Sequence, residues 1–303
     1  MDKRISNLAQ VASIRRYRLM GGKADGIEVL DCDNGRIRFL LNVSKACDLM
    51  QLYHEGQNVS FLSRNGFVKR ETSFLNRFEG GMVYTCGLDS VGGREGYELH
   101  GSLHHIGAEI VRAECNEEGI VVEAVLRDTA LFGKNLVLRR RIVSPIGAEQ
   151  VSVEDTLINE SFREEEYCLL YHVNVGYPML DAGAQVEADV EACVPRTEWS
   201  RVNEDSMYEM TLPEDNREEC CYFLKLREPK VSLVNRTIGK RFTLTYSAET
   251  LPHFVEWKSM ASGDYALGLE PCTTELDDRF EYRRIKPGEA IAFRISLNVR
   301  REA

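Results

Sequence analysis

From Glu109 to Val173 the chain reads as consecutive apolar, β-branched runs: Glu109 to Cys115, Ile120 to Leu126, Leu136 to Val143, Val151 to Ile158 and Glu166 to Val173. Parallel strands need crossovers of about a dozen residues or more, and no interval here is long enough, so the strands must run antiparallel. The turns Glu117-Glu-Gly119 and Pro145-Ile-Gly147 suit hairpins. Further strand candidates follow at Cys221 to Leu226, Val231 to Asn235, Phe242 to Tyr246, Phe254 to Trp257, Tyr265 to Leu269 and Ile291 to Val299. The fold class this predicts is mainly all-β, a large antiparallel β-sandwich with few short helices.

Upstream the pattern is more varied. Leu8 to Tyr17 mixes apolar and basic residues and is compatible with a helix or with an arm packed on the body. Ile27 to Leu30, the turn Asp33-Asn-Gly35 and Ile37 to Leu41 form a hairpin signal, because Asn-Gly tolerates positive φ. Ser44 to Tyr53 predicts a short helix, with Ser44 as N-cap and Ala46, Leu49, Met50 and Tyr53 at helical spacing. Gly80 to Gly101 is glycine-rich and reads as a loop system; no helix pattern follows it, so it is no phosphate-binding loop. The acidic stretch Ala182 to Arg217, broken by Pro195 and Pro213, is expected to wrap the surface. No fixed-period repeat or low-complexity linker divides the 303 residues, so residues 1–303 are expected to form one domain.

Composition narrows the partners. A net charge of −10 with no long basic run argues against nucleic acid, whose phosphates demand clustered Lys and Arg. No stretch approaches the ~20 apolar residues of a membrane-spanning helix, and the N-terminus, with Asp2 and no apolar block, does not read as a signal peptide, so a cytoplasmic location is expected. Nine cysteines, an odd number without C-x-x-C spacing, are expected to be reduced, buried small hydrophobes rather than disulfides or zinc ligands. A homodimer is neither required nor excluded.

Four of the six histidines fall near turns or glycines: His100, His104, His105 and His172. His100 and His104 are four apart, a spacing that aligns metal ligands only on a helix, and Gly101 argues against a helix there, so no metal is expected. No G-x-S-x-G elbow is present, and Cys168, which alternation puts on the face of His172, has no evident activating partner. What remains is cofactor-free general acid-base chemistry by a histidine and a glutamate. His172 in Tyr171-His-Val-Asn-Val-Gly-Tyr-Pro178 and Glu270 in Leu267-Gly-Leu-Glu-Pro271 each sit between apolar residues and a turn signal. Such strand ends can aim an acid and a base into a cleft, although a histidine in an apolar run is more often a satisfied core residue.

Four ordered segments carry a resemblance to a known superfamily: Phe74-Leu-Asn-Arg-Phe-Glu-Gly-Gly81, Leu99-His-Gly101, Tyr171 to Pro178, and Phe254-Val-Glu-Trp-Lys258 leading to Leu267-Gly-Leu-Glu-Pro271. In that order the chain resembles the galactose-mutarotase-like superfamily, the aldose 1-epimerases, as a divergent bacterial branch. The resemblance implies a supersandwich with a cleft for a small-molecule sugar, in which Glu270 takes the proton of the anomeric hydroxyl and His172 protonates the ring oxygen, the two facing each other across about the width of a pyranose. It further implies that Arg77 and His100 hydrogen-bond sugar oxygens and that Trp257 is a platform for the sugar's C–H face. Asn174 would share the face of His172 and contact substrate, or serve only as a strand-end turn former. The acidic residue that anchors a sugar hydroxyl in the family has no clear counterpart; Asp181 is the candidate, and it also suits a turn. The expected activity is anomer interconversion of a free aldose. The rivals are epimerisation of a sugar phosphate, with Lys258 and Arg94 as candidate phosphate ligands, and a non-catalytic carbohydrate-binding or sensor protein.

Overall fold

The computed structural model describes residues 3–302. It is about 52% strand and 8% helix, as an all-β chain must be. A five-stranded antiparallel meander comes first, with strands Ser13–Arg18, Glu28–Asp33, Ile37–Asn42, Asp48–His54 and Gln57–Asn58. It packs on a thirteen-stranded sheet whose middle runs, in spatial order, Glu165–Val175, Asp264–Cys272, His253–Ala261, Cys220–Asn235, Lys240–Tyr246, Ala290–Arg301 and Gln150–Asn159. Every pairing between these strands is antiparallel. One apolar cluster, from Leu30 and Phe39 through Ile142 and Leu169 to Phe242 and Leu297, fills the space between the sheets.

The hairpin at Asp33-Asn-Gly35 forms, and Asn34 at its tip is fully buried, its amide donating to Ser144 Oγ and to the carbonyls of Pro145 and Ala148. Leu8 to Tyr17 resolves into a 3₁₀ turn, Leu8–Gln10, followed by the edge strand Ser13–Arg18.

Three expectations are corrected. Residues 44–53 are not a helix: Ala46 and Cys47 turn the chain with φ of 50° and 52°, and Asp48–His54 is a strand. Leu49, Met50 and Leu52 are buried on both of its faces, and a doubly buried strand looks helical to any periodicity count. Ser44 caps no helix; its hydroxyl accepts the Glu28 N–H. Inside the glycine-rich stretch, Val83–Leu88 is a fully buried strand paired with Glu165–Val175. The acidic stretch contains an eleven-residue strand, Gln185–Pro195, paired with Cys220–Asn235, whose outward charges hide its alternation.

A buried ionic network joins the two sheets. Arg140 of the strand Asn135–Pro145 donates twice to Asp155, at 2.9 and 2.7 Å, and also to Asp48 of the first sheet and to the Ala46 carbonyl. Asp48 further accepts from the Thr85 N–H at 2.8 Å and lies 2.6 Å from His104 Nδ1. Burial works to raise the Asp48 carboxyl, but Arg140 and His104 outweigh it and hold it down at about 2. Replacing Arg140 by Met would leave two buried carboxylates without their cation. The expected cost is about 3–5 kcal/mol, read as a lowered urea midpoint. Because the folded-state Asp48 lies below its unfolded value of about 4, its contribution is complete above that pH and is lost as pH falls towards about 2.

Candidate active site

The strand Glu165–Val175 pairs with Asp264–Cys272 so that Val173 faces Leu269 and Leu170 faces Cys272, a register that brings His172 beside Glu270. The next strand, His253–Ala261, sets Val255 opposite Glu270 and Trp257 opposite Gly268. Alternation then collects His172, Glu270, Gly268 and Trp257 on one face of the sheet. His172 Nε2 and Glu270 Oε1 are 3.2 Å apart. They lie at contact distance, not across a pyranose. That separation still suits the chemistry, because the two oxygens of a hemiacetal share one carbon and are served from neighbouring points. Gly268 makes the contact possible: a Cβ there would collide with Glu270 Oε1 and come within 3.1 Å of His172 Cε1.

Over the pair opens a cavity of about 710 Å³, within the range of small-molecule sites. Its floor includes Cys221, Val255 and Trp257, and its walls include Phe61, Phe74, Phe78, His100 and Leu276. The charged residues that line it, besides Glu270, are Arg64, Arg196, Arg217, Glu219 and Asp264. Apolar walls with a few polar groups are what a sugar needs, since it presents C–H faces as well as hydroxyls.

Electrostatics favour an uncharged pair. Burial pushes His172 well below the ordinary histidine range, and neighbouring His100 pushes it further. Burial pushes Glu270 well above the ordinary carboxyl range, with Glu219 adding to it. Imidazole and carboxylic acid together hold one proton, as many as imidazolium and carboxylate would, but without separating charge in a low-dielectric site. His172 Nδ1 and Glu270 Oε1 are both buried without a hydrogen-bond partner among the described residues.

The other expected residues divide. His100 lines the cavity, its ring 5.4 Å from that of His172; φ of 64° and the tight turn at Gly101 put it there. Burial, assisted by Arg196, lowers it to about 4, so it is a neutral donor or acceptor at neutral pH. Trp257 also lines the cavity, 5.5 Å from the His172 ring, and its Nε1 donates to Glu219 at 2.7 Å.

Arg77 and Asn174 are not among the cavity-lining residues. Arg77 ends the one-turn helix Phe74–Arg77, whose Phe74 lines the cavity, while Arg77 itself is buried elsewhere and paired with Glu98 at 2.9 Å. Asn174 is fully buried and its amide donates to the His172 carbonyl at 2.9 Å, so it braces the strand. Asp181 accepts the Ala182 N–H as a turn residue does. Neither Lys258, whose ammonium donates to the carbonyls of Ser206 and Glu209, nor Arg94, packed against Phe280 and Tyr282, lines the cavity.

The arginines that do line the cavity, Arg64, Arg196 and Arg217, carry no local signal in the sequence. Arg196 and Arg217 belong to the stretch read as surface wrapping, and no local pattern marks residues that a long connection carries back over a sheet. Gly268, expected only as part of a turn signal, lies within the strand; a Gly one alternation step before Glu270 is the signal that could have marked the close approach. Among the described residues no group of three or more His, Cys, Asp or Glu is arranged to hold a metal ion. No helix among them is long and apolar enough to cross a membrane.

Comparison with solved structures shows the fold. A Klebsiella pneumoniae protein provisionally named an aldose 1-epimerase superposes with a TM-score of 0.85 at 19% identity, over 96% of this chain and 84% of that one. A galactose mutarotase-like protein from Clostridium acetobutylicum gives 0.71 at 12% identity, over 96% and 99% of the two chains. One from Lactobacillus casei gives 0.64 at 13%, over 90% and 100%. No curated protein matches the chain. Residues 24–299 match the model of a family described as a domain of unknown function, DUF4432.

Replacing Gly268 by Ala should force Glu270 away from His172 while leaving the backbone able to fold. Thermal unfolding is expected to show an overpacking cost of about 1–3 kcal/mol, and a crystal structure of the variant should show a His172–Glu270 separation longer than 3.2 Å.

Proposed function

This chain belongs to the DUF4432 family, and we propose that it is an aldose 1-epimerase-like isomerase, interconverting the anomers of a sugar by acid-base ring opening and closure without a cofactor. The observation that carries the proposal is the contact of His172 with Glu270 at 3.2 Å on the floor of a cavity large enough for a monosaccharide.

One proton on the pair is enough for a complete cycle. The member without it takes the proton of the anomeric hydroxyl, whose oxygen becomes the aldehyde carbonyl as the bond from C1 to the ring oxygen breaks. The member holding it protonates the departing ring oxygen. The opened sugar turns its aldehyde about the bond to C2, and the reverse transfers close the ring on the opposite face, returning the pair to its starting state. Burial favours His172 as the unprotonated member and Glu270 as the protonated one. That order is the reverse of the roles the resemblance implies, and the charge-separated tautomer of the same pair supplies the implied order. His100 can orient a sugar hydroxyl, Trp257 offers its face to C–H groups, and Glu219 and Asp264 are the acidic groups available to anchor a hydroxyl in place of Asp181.

A phosphorylated aldose in the same cavity is a second reading, favoured by Arg64, Arg196 and Arg217 in its lining. Each of them already pairs with a carboxylate, Arg64 with Asp264, Arg196 with Asp277 and Arg217 with Glu214, and that compensation favours a neutral sugar.

Polarimetry or one-dimensional NMR of freshly dissolved pure anomers, across neutral and phosphorylated aldoses, is the test. At least one sugar should equilibrate faster with protein than without; none doing so refutes the isomerase. Glu270→Gln should lower the rate by about 10²–10⁴-fold while sugar binding persists; binding in both forms with turnover in neither would favour a sensor. The pH dependence follows from the two shifts. With His172 displaced downward and Glu270 upward, the one-proton state spans neutral pH. The rate should therefore hold a broad plateau, falling at low pH when His172 also becomes protonated and at high pH when Glu270 loses its proton.

A further inference from the structure

The helix Phe74–Arg77 has two sides with different company. Phe74, with Phe78 just beyond it, lines the catalytic cavity, and Phe78 lies 5.6 Å from the His172 ring. Arg77 lines a separate pocket of about 170 Å³ together with Lys45, Lys69, Arg70, His105 and Glu71. Four cations thus surround a hollow holding one acidic side chain, in a protein whose net charge is −10. Such crowding of like charge is unfavourable unless something negative offsets it.

The internal partners offset it only in part. Lys45 meets Glu79 at 3.1 Å and Arg77 meets Glu98 at 2.9 Å. Lys69 spends its ammonium on the Gly26 carbonyl and the Ser44 hydroxyl, neither of them charged. Arg70 is exposed and makes no ion pair among the described residues. Arg77, only 6% exposed, keeps Nε buried without a hydrogen-bond partner among them. A buried guanidinium N–H left unused is costly. His105 stays neutral, pushed down to about 2 by burial and then by His104, Arg77 and Lys45, so it adds a polar atom and no further charge.

We propose that the pocket framed by Lys45, Lys69, Arg70 and Arg77 is a binding site for a small tetrahedral oxyanion, phosphate or the phosphoryl group of a phosphorylated metabolite, separate from the catalytic cavity. Guanidinium and ammonium groups from four residues line one hollow of about 170 Å³, the donor set that a phosphate's oxygens call for. Because Arg77 and Phe74 ride on the same helical turn, an anion held by Arg77 also fixes the aromatic wall over His172. The site and its occupant do not depend on which reaction the cavity performs.

Isothermal titration calorimetry of the full chain at low salt tests this, with inorganic phosphate and glycerol phosphate as probes and the double variant Lys69→Ala/Arg70→Ala as control. Both substituted residues are exposed and lie outside the catalytic cavity, so folding, checked by circular dichroism, is expected to be unchanged. Wild type should bind at least one probe, and the double variant should bind it about tenfold or more weakly. Binding of inorganic phosphate identifies a free anion as sufficient, and binding of glycerol phosphate alone identifies a phosphoryl head group. No binding of either probe at millimolar concentration overturns the proposal, and so does equal binding by wild type and variant, which would assign the anion to the arginines of the catalytic cavity.

Discussion

Arg140 is the charge on which the two sheets depend. Its guanidinium, buried on all sides, reaches Asp48 in the first sheet, Asp155 on the neighbouring strand and the Ala46 carbonyl, and Asp155 in turn accepts the Tyr171 hydroxyl at 2.7 Å. A buried ion pair is weak as a source of stability, because desolvation consumes much of what the attraction returns. Its strength is as a locator, since any other stacking of the sheets strands a charge in the core. Tyr171 ends this chain of contacts on the core side of its strand, and the next residue, His172, faces the opposite way into the cavity.

The site is therefore a property of strand pairing more than of loops. A one-residue slip of Glu165–Val175 against Asp264–Cys272 would turn His172 into the core and separate it from Glu270. Gly268 clears the space in which the two side chains touch. Burial by the surrounding walls then shifts both groups towards their neutral forms, and the loops that supply His100, Phe74 and the arginines decide what can enter.

The sequence made the antiparallel class, the turn at Asn34 and the pair His172 and Glu270 legible, because each depends on local pattern or on ordered segments. Residues 48–54 were misread since a strand buried on both faces has no period of two to detect. Arg77 stands outside the cavity for a different reason: it ends the one-turn helix that Phe74 begins, and while Phe74 lines the cavity Arg77 lines the smaller pocket and pairs with Glu98. Arg196, Arg217 and Glu219 join the cavity only through tertiary structure, by way of a long acidic connection whose composition suggests surface. The strand Gln185–Pro195 hid there for the same reason, its buried Val186 outnumbered by the charges on its solvent side.

The central physical claim is that His172 and Glu270 between them hold a single proton and that burial favours a neutral His172. Nitrogen-15 NMR of histidine-labelled protein reads this directly. The His172 ring nitrogens should keep the shifts of a neutral imidazole from pH 5 to pH 8, bounds set around the ordinary histidine value of about 6.5. A His172 that titrates to imidazolium near that ordinary value would contradict the account, because a pair that readily takes up a second proton could not supply the unprotonated base that the proposed reaction needs through the neutral range.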